Sequence, residues 1–461
     1  MSFSDLTFLF YFLPLFFAAY YLLPLRFKNA ALAAGSLVFY IVGVGARNTL
    51  LLAAVLFLHY VIARAMTGKE VRHRKALLIL ALATDLFCLV FFKYAAFFLE
   101  NLGKLTGQAF SLITLALPLG VSFYLFQSAG YLIDVYRGEE AEKSLIDYAA
   151  FTIAFPQLTM GPILRYHEWR GALKSRTIAR EDVFLGFELF VVGLCFKVLL
   201  ADQLAPLWAS LERIGYEYLS TPLAWLGAVS YSLQLYFDFS GYSLMAMGLG
   251  QMLGLPVPRN FDLPYTARSV SEFYRRWHIT LGTWFRDYLY IPLGGSRCGK
   301  ARTALALTLV WFFTGLWHGA SWNFVLWGVV LLCFILLEKF CIGGFLKKHR
   351  VLSHLYLLSV IPPTWVIFRI TSLSDVGAYF SRLFPFFGAH SAVSAQDALK
   401  LLASYWWLLL PGIFFCLPQP RRFYEKHRGS PALDLPLFLL FWVCVYFIAT
   451  SSGNAFLYSR F

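Results

Sequence analysis

Apolar stretches of about twenty residues recur along this chain, and they constrain its fold more than any other feature. Clear examples are Leu6–Leu25, Ala76–Ala96, Val183–Leu200 and Leu435–Thr450. A helix of that length crosses a hydrocarbon core about 30 Å thick. Only 14% of the 461 residues are charged, against roughly a quarter in a soluble domain. The sequence therefore predicts an all-α polytopic membrane protein surrounded by membrane lipid.

The start of the chain and the cysteines exclude two other classes. The opening Met-Ser-Phe-Ser-Asp-Leu carries no basic residue, and no small-residue cleavage site follows. A secretory signal peptide has both, so the first stretch is predicted to remain as a span. The seven cysteines show no CxxC or CxxH spacing, which gives no basis for a metal site or a disulfide framework.

The basic residues indicate how the chain is oriented. The formal net charge is +14, but the charges lie in short loops between apolar stretches, which is the positive-inside pattern rather than a nucleic-acid face. Placing these clusters in the cytoplasm puts both termini outside. The clusters are Arg26/Lys28, Lys69–Lys75, Arg165–Arg180, Arg268–Arg276, Arg297–Arg302, Lys347–Arg350 and Arg421–Arg428.

The path predicts about twelve crossings and two segments that do not cross. Tyr148–Leu164 is weakly apolar and contains Pro156, Gly161 and Pro162, so it is predicted as a re-entrant or broken helix buried in protein. Residues 256–302 are too polar to span, and their aromatic and basic mixture predicts interfacial helices on the cytoplasmic side. The long stretch 222–253 is predicted to tilt or to kink at Gly241. The later spans are expected near 182–200, 222–253, 301–317, 322–340, 351–371, 401–418 and 434–451.

Two of the nine histidines lie where chemistry is plausible. His318 stands between two short apolar halves, where an ionisable group requires a cavity or a partner. Gly315 and Gly319 leave room beside it for a ligand or another helix. A histidine there can act as general base toward a hydroxyl, or it can simply pack between helices. His278 follows Arg275 and Arg276, a cluster that suits either a phosphate-bearing donor or an interfacial anchor.

Acidic and basic residues within apolar stretches leave a second class of function open. Asp134, Lys197, Asp202 and Asp238 lie in or at the ends of such stretches, and such residues usually face a bundle interior or a water-filled path. They suit a transporter or flippase as well as an enzyme. The sequence contains no GxSxG, Walker, HExxH or Rossmann motif.

Five motifs resemble the membrane-bound O-acyltransferase (MBOAT) family. The similarity is to the bacterial branch that acetylates alginate or peptidoglycan or D-alanylates teichoic acid, and it covers nearly the whole chain. The matching runs are Pro118–Tyr124 with Tyr131–Gly138, Phe155–His167, Tyr236–Ser243, Ser271–Gly295 and Leu316–Ala320.

This resemblance implies an MBOAT fold over residues 1–461 as a single membrane domain, with a ring of helices around a central tunnel. It implies that His318 is the catalytic histidine at the tunnel waist and that His278 is the second motif histidine, near the donor entrance. The residues expected to bind the donor are Arg275, Arg276, Trp277 and Arg286, and those expected to line the tunnel are Gln157, Asp238, Trp317 and Asn323.

The last residues resemble a terminal F-x-Y-x-x-F pattern found in this branch. Residues 452–461 are therefore expected to form an extracytoplasmic tail whose Tyr458 accepts the acyl group and passes it on. The alternative is an aromatic anchor at the membrane interface. An acyl-tyrosine relay requires a separate partner outside the membrane, expected to be an SGNH-type esterase/transferase.

The expected function is transfer of an acyl group from a cytoplasmic thioester, acetyl-CoA or an acyl carrier protein, across the bacterial inner membrane to a cell-surface polysaccharide. No bound cofactor is expected. One departure bears on the acyl group: Ser243-Leu244 resembles the D-alanylating proteins, whereas the longer run Arg286–Gly295 resembles the alginate-acetylating ones. Acetyl is favoured, and D-alanyl transfer to teichoic acid remains the alternative.

Overall fold

The chain folds almost entirely into helices. The computed structural model describes residues 1–68, 70–108, 110, 118–387, 394–451 and 456–457. In this part of the chain the only β-interaction is an isolated antiparallel bridge between Phe261 and Trp277. The all-α prediction is therefore confirmed for the described residues.

The chain packs as two compact units, each assembled from separate stretches of sequence. The first unit contains Met1–Phe190, Tyr242–Pro258 and, among the described residues near the C-terminus, 448–451 and 456–457. Its helices are α1 Leu13–Leu22, α2 Leu25–Val44, α3 Ala46–Met66, α4 Val71–Leu89, α5 Ala95–Thr106, α6 Val121–Arg137, α7 Leu145–Thr152 and α8 Tyr166–Lys174, followed by the first part of α9 Arg180–Cys195.

The second unit contains Val191–Gly241 and Arg259–Phe447. It contains His278 and His318. Its further helices are α10 Asp202–Ile214, α11 Thr221–Leu253 (up to Gly241), α12 Val270–Arg276, α13 Ile279–Phe285, α14 Lys300–His318, α15 Trp322–Leu337, α16 Gly343–Lys348, α17 Arg350–Arg369, α18 Leu373–Leu383, α19 Gln396–Phe415, α20 Pro418–His427 and most of α21 Pro431–Thr450.

Eight helical stretches in the described part of the chain are long and apolar enough to cross a membrane. They are Leu25–Val44, Ala46–Met66, Val71–Thr106, Arg180–Ile214, Trp322–Lys348, Arg350–Arg369, Gln396–Phe415 and Pro431–Thr450. The prediction of a polytopic protein is therefore supported, whereas the count of about twelve crossings stays a prediction. The first apolar stretch forms a shorter helix, Phe8–Leu22.

The predicted broken helix is irregular and buried. Helix α7 ends at Thr152, and residues 150–164 are all buried. Pro156 and Pro162 leave backbone polar groups without helical hydrogen-bond partners, and protein encloses these groups. In a membrane such groups must be enclosed, because no water is there to bond with them. Helix α11, by contrast, runs without interruption through Gly241. A Cβ at Gly241 would lie 2.7 Å from the carbonyl oxygen of Gly193, so this glycine permits close helix packing.

The polar segment 256–302 folds into short helices, as its composition predicts. Helices α12 and α13 have seven residues each, and a π-helical turn follows at Arg286–Tyr290. None of the described helices in this segment is long enough to cross a membrane. Its position at the cytoplasmic interface remains a prediction.

Candidate active site

Two glycines bring helices α14 and α15 close together and thereby place His318. A Cβ at Gly315 would lie 2.6 Å from the carbonyl oxygen of Phe324, and one at Gly328 would lie 2.6 Å from that of Trp311. Such distances leave no room for a side chain, so the two backbones pack directly. The sequence allows either a ligand or another helix beside Gly315, and the structure shows another helix there.

His318 is the last residue of α14, and aromatic rings surround it. Its imidazole centroid lies 5.0 Å from that of Trp317, 5.1 Å from Trp327 and 5.1 Å from Phe368, all near edge-to-face. The side chain is buried, with 5% of its surface exposed. These rings fix the orientation of the imidazole. A fixed orientation is what a side chain needs if it is to meet a hydroxyl at a defined angle.

His278 is held between α12 and α13 by an unusual backbone conformation. Its φ of +48° lies in the left-handed region, which non-glycine residues adopt rarely and mostly at functional sites. The residue is buried, and its Nδ1 lies 3.3 Å from Oδ1 of Asn260. The backbone N–H of Ile279 donates to the carbonyl of Asn260 at 3.0 Å, which ties the two segments together.

The hydrogen bonds of Asn260 define which nitrogen of His278 carries the proton. Oδ1 of Asn260 also accepts from the backbone N–H of Thr280 at 3.1 Å and from its hydroxyl at 2.9 Å. A backbone N–H can only donate, so the oxygen of the amide is the atom at this position. Nδ1 of His278 must then donate, which leaves the lone pair on Nε2. An imidazole oriented by a third group in this way presents Nε2 as a hydrogen-bond acceptor.

Burial keeps the His278 imidazole neutral. Desolvation lowers the pKa of His278 from 6.5 to about 3, because the imidazolium would lose its hydration shell. At physiological pH this side chain therefore carries no charge. An uncharged imidazole does not attract a phosphate electrostatically, but its Nε2 lone pair can accept a hydrogen bond.

Both histidines line one cavity in the second unit. The cavity has a volume of about 1690 Å³, and its wall includes His278, His318, Trp311, Thr314 and Trp327. Most small-molecule sites measure about 300–1,000 Å³, so this cavity is large enough for an extended ligand. All four residues predicted to bind the donor, Arg275, Arg276, Trp277 and Arg286, also line it.

The four predicted donor-binding residues differ in burial and in whether a carboxylate of the protein already pairs with them. Arg276 pairs with Glu272 at 2.6 Å and Arg286 pairs with Asp287 at 2.7 Å, so an internal carboxylate already neutralises each. Trp277 is buried, with its ring centroid 4.8 Å from that of Trp365. Arg275 is exposed to the cavity and has no carboxylate within 4.0 Å among the described residues.

Four more basic side chains on the cavity wall were not predicted from the sequence. Within the described ranges, no carboxylate lies within ion-pair distance of any of them. They are Arg268, Lys339, Lys347 and Arg350. Together with Arg275 they form the cationic wall of the cavity. The sequence predicts Lys347 and Arg350 only as part of a cytoplasmic charge cluster, because no local feature places them on the same cavity wall as Arg275.

The predicted tunnel residues lie in different places. The ring of Trp317 contacts both imidazoles, 5.8 Å from that of His278 and 5.0 Å from that of His318. Asn323 is fully buried, and its amide donates to the carbonyls of Ile367 and Phe368 at 3.1 and 3.0 Å. Neither side chain is part of the cavity lining.

The other two predicted tunnel residues are also engaged within the protein. Asp238 lies 2.8 Å from Nζ of Lys197, which also contacts Asp202 at 2.7 Å. Gln157 belongs to the first unit, where it is buried and donates to the carbonyl of Phe151 at 2.5 Å. The predicted acceptor Tyr458 lies outside the described residues.

The remaining candidate ligands form no metal site in the described part of the chain. No three His, Cys, Asp or Glu side chains in those residues are grouped closely enough to hold an ion. His59 is buried and pairs with Asp85, with Nε2 2.9 Å from Oδ1. The sulfur atoms of Cys195 and Cys444 lie 3.7 Å apart as free thiols.

Eight apolar helical stretches make the chain a multi-pass membrane protein, and comparison with known proteins defines which kind. Residues 142–350 match the family model described as MBOAT, membrane-bound O-acyltransferase family. The chain is 38% identical to a probable alginate O-acetylase AlgI of Azotobacter vinelandii, over 95% of this chain and 90% of the relative. It therefore belongs to the MBOAT family and is a membrane-bound O-acyltransferase.

Two further relatives come from other branches of the family. A peptidoglycan O-acetyltransferase of Helicobacter pylori is 30% identical over 100% of this chain and 98% of the relative. A teichoic acid D-alanyltransferase of Streptococcus thermophilus is 31% identical over 46% of this chain and 54% of the relative. The similarity to both O-acetylating relatives thus extends along the whole chain, whereas that to the D-alanylating relative covers about half of it.

Proposed function

We propose that this protein transfers an acetyl group from a cytoplasmic thioester, across the bacterial inner membrane, for O-acetylation of a cell-surface polysaccharide. The observation that carries the proposal is the single cavity shared by His278, His318 and the cationic wall. It brings a candidate base together with groups that attract an anionic donor. The whole-chain similarity to relatives named as alginate and peptidoglycan O-acetylating enzymes supports the polysaccharide acceptor.

The charge of the cavity supports a phosphate-bearing donor. Five cationic side chains that pair with no carboxylate of the described residues line a cavity of about 1690 Å³, and such a cavity suits a polyanion better than a neutral ligand. Acetyl-CoA and an acyl carrier protein both present a phosphopantetheine thioester, but only coenzyme A brings further nucleotide phosphates. We favour acetyl-CoA because the number of unpaired cations exceeds what one phosphodiester needs.

His318 is the proposed general base. It removes the proton from the acceptor hydroxyl as that oxygen attacks the thioester carbonyl carbon, and a tetrahedral intermediate forms. Collapse of the intermediate breaks the carbon–sulfur bond and leaves a new carbon–oxygen ester bond. The His318 imidazolium then returns the proton to the departing thiolate, so the thiol is released and the base is regenerated.

His278 is proposed to position the donor. Its Nε2 lone pair can accept a hydrogen bond from an amide N–H, and the pantetheine arm of either donor contains two amides. Because its pKa is about 3, the side chain stays an acceptor throughout the physiological range. Asn260 keeps that lone pair on Nε2 by accepting from Nδ1. Loss of His278 should therefore impair donor binding as well as turnover.

Tyr458 is the proposed first acceptor of the acetyl group. Phe456, two residues earlier, is buried in the first unit with its ring 5.2 Å from that of Tyr242, which supports an anchored C-terminal segment. An acetyl-tyrosine there would be handed to a separate extracytoplasmic SGNH-type enzyme. The alternative role, an aromatic anchor at the membrane interface, predicts no covalent adduct.

The two competing functions have less support. D-alanyl transfer is favoured by Leu244 alone, and the D-alanylating relative matches only about half of this chain. Ion-coupled transport was suggested by the intramembrane acids, but Asp202 and Asp238 both contact Lys197. Both acids are thus engaged by a lysine within the protein, so they give a transport pathway no specific support.

Intact-protein mass spectrometry after incubation with acetyl-CoA tests the proposal. Wild type should gain about 42 Da, one acetyl in covalent catalysis, whereas His318→Ala and Tyr458→Phe should not. An adduct that survives in Tyr458→Phe would exclude Tyr458 as the acceptor. Absence of both adduct and free coenzyme A would instead point to a carrier-protein donor or to D-alanyl transfer, which the same assay with each alternative donor would distinguish.

A further inference from the structure

Glu338 is an anionic residue on the wall of a largely cationic cavity. It follows α15 at the start of a π-helical turn, Glu338–Ile342, and only 5% of its surface is exposed. A carboxylate in this position repels a phosphate-bearing donor and does not help to bind it. Its presence therefore requires another explanation, which its hydrogen bonds supply.

Both carboxylate oxygens of Glu338 hold the N-terminus of α12. Oε1 accepts from the backbone N–H of Val270 at 2.5 Å, and Oε2 accepts from the backbone N–H of Ser271 at 2.9 Å and from its hydroxyl at 2.6 Å. These two amides are among the first four of the helix, which have no partner inside it. A negative charge also interacts favourably with the positive end of the helix dipole.

The other N-terminal amides of α12 are satisfied locally. Ser269 accepts the N–H of Glu272 through its side chain at 3.0 Å and the N–H of Phe273 through its carbonyl at 2.9 Å. Glu338 therefore supplies the only long-range partner among the described hydrogen bonds of these four amides. Glu338 directly follows α15, so these hydrogen bonds link the N-terminus of the short helix to the C-terminal end of α15.

The opposite end of α12 carries the groups of the proposed site. Arg275 and Arg276 occupy its last turn, and His278 follows two residues later. A seven-residue helix is about 10 Å long. Even a small rotation about its N-terminus would therefore shift the side chains at its other end. Displacements of about 1 Å are sufficient to impair catalysis substantially.

We infer that Glu338 is a positioning residue, which fixes α12 and through it the placement of Arg275 and His278 in the cavity. The effect on catalysis rests on the proposed function, whereas the anchoring of α12 does not. Glu338 does not touch the donor in this scheme. Its two oxygens instead accept hydrogen bonds from two backbone amides of α12 and from the hydroxyls of Ser271 and Tyr356.

Three variants separate this role from a general structural one. Glu338→Gln keeps the shape but turns one accepting oxygen into a donor that faces an N–H. Ser271→Ala removes one hydrogen bond between Glu338 and α12 without altering the carboxylate. Tyr356→Phe is the matched control, because its hydroxyl donates to Oε1 at 3.1 Å from α17 rather than from α12.

Hydrogen–deuterium exchange of the peptide covering residues 268–278, in the full-length protein in detergent, tests the anchoring directly. Exchange should increase in Glu338→Gln, increase less in Ser271→Ala and match wild type in Tyr356→Phe. Equal exchange in wild type and Glu338→Gln would overturn the proposal. If Glu338→Gln does not fold, equal exchange in Ser271→Ala and Tyr356→Phe would overturn it instead.

Steady-state turnover of acetyl-CoA tests the consequence for the site. A charged hydrogen bond to a buried group predicts that Glu338→Gln loses about 10- to 100-fold in kcat/KM, divided between a higher donor KM and a lower kcat. Ser271→Ala should lose less, and its effect should be less than additive with that of Glu338→Gln. Unchanged KM and kcat in Glu338→Gln would refute the effect on catalysis. Absent turnover in wild type, with the exchange result intact, would contradict only the proposed donor.

Discussion

The Asn260–His278 pair allows a sharp test of how the candidate site controls the protonation state of His278. Asn260→Asp replaces the neutral amide oxygen with a carboxylate 3.3 Å from Nδ1 of His278. At an effective dielectric constant of about 20, a unit charge at this distance stabilises the imidazolium by about 5 kcal/mol. Each pKa step corresponds to about 1.4 kcal/mol. The pKa of His278 should therefore rise from about 3 to between about 6 and 7.

The pH dependence of kcat/KM for thiol release measures this change. In wild type His278 stays neutral throughout the range pH 5.5–8 and adds no inflection. In the Asn260→Asp variant the aspartate–histidine pair takes up a proton near neutral pH, and the two groups titrate together. Activity that depends on the Nε2 lone pair should then fall as the pH is lowered through about 6.5, the ordinary histidine value.

Thr280→Val provides the control for this experiment. It removes the hydroxyl that donates to Oδ1 of Asn260 but keeps the backbone N–H and the amide itself. Its pH profile should match that of wild type, even if its absolute rate is lower. An Asn260→Asp profile that also matches wild type, at equal amounts of folded protein, would refute the assignment of Asn260 as the group that sets the protonation of His278.

Three further predictions follow from the geometry. Lys347→Gln combined with Arg350→Gln should raise the donor KM about three- to tenfold, since each exposed ion pair contributes about 0.2–1 kcal/mol, whereas Arg422→Gln outside the cavity should leave it unchanged. Gly315→Ala should destabilise by about 1–3 kcal/mol in thermal unfolding, because its Cβ would meet a carbonyl oxygen of α15 at 2.6 Å. The native pKa of His278 lies below that of an unfolded histidine, so the unfolded state binds the extra proton and stability falls as the pH decreases from about 6.5. Between pH 7 and pH 5 this loss should be about 2 kcal/mol, and His278→Gln should abolish it.

The sequence predicted the parts of the site that local composition encodes. Long apolar stretches gave the helical membrane class, and a histidine between two apolar halves marked His318. The aromatic and basic mixture of residues 256–302 correctly indicated short helices, and Pro156 correctly marked a break in helical structure. In each case the signal lies within one continuous segment of the sequence.

The partnerships within the site could not be predicted in the same way. Asn260 and His278 are eighteen residues apart, and Glu338 lies 67 residues from Ser271. Lys197 and Asp238 were each recognised as charges in apolar stretches, but their contact across 41 residues was not. Such contacts depend on how helices pack, and neither helical periodicity nor charge patterning reports that for one sequence.

In this cavity the cationic side chains that would bind the donor are distinct from His318, the proposed base. We therefore expect substitutions of the two kinds of residue to change different kinetic constants, KM and kcat. In the proposed mechanism the cationic wall attracts the phosphates of the donor before, during and after transfer, because those phosphates do not change charge in the reaction. Such uniform binding lowers KM without accelerating the chemical step. His318, by contrast, interacts with a proton that moves only in the reaction. Neutralising Arg275 should therefore raise the donor KM and leave kcat within about twofold, whereas His318→Ala should lower kcat by about 10²–10⁴-fold with little effect on donor affinity. A large loss of kcat in Arg275→Gln would show that the wall also contacts the reacting atoms.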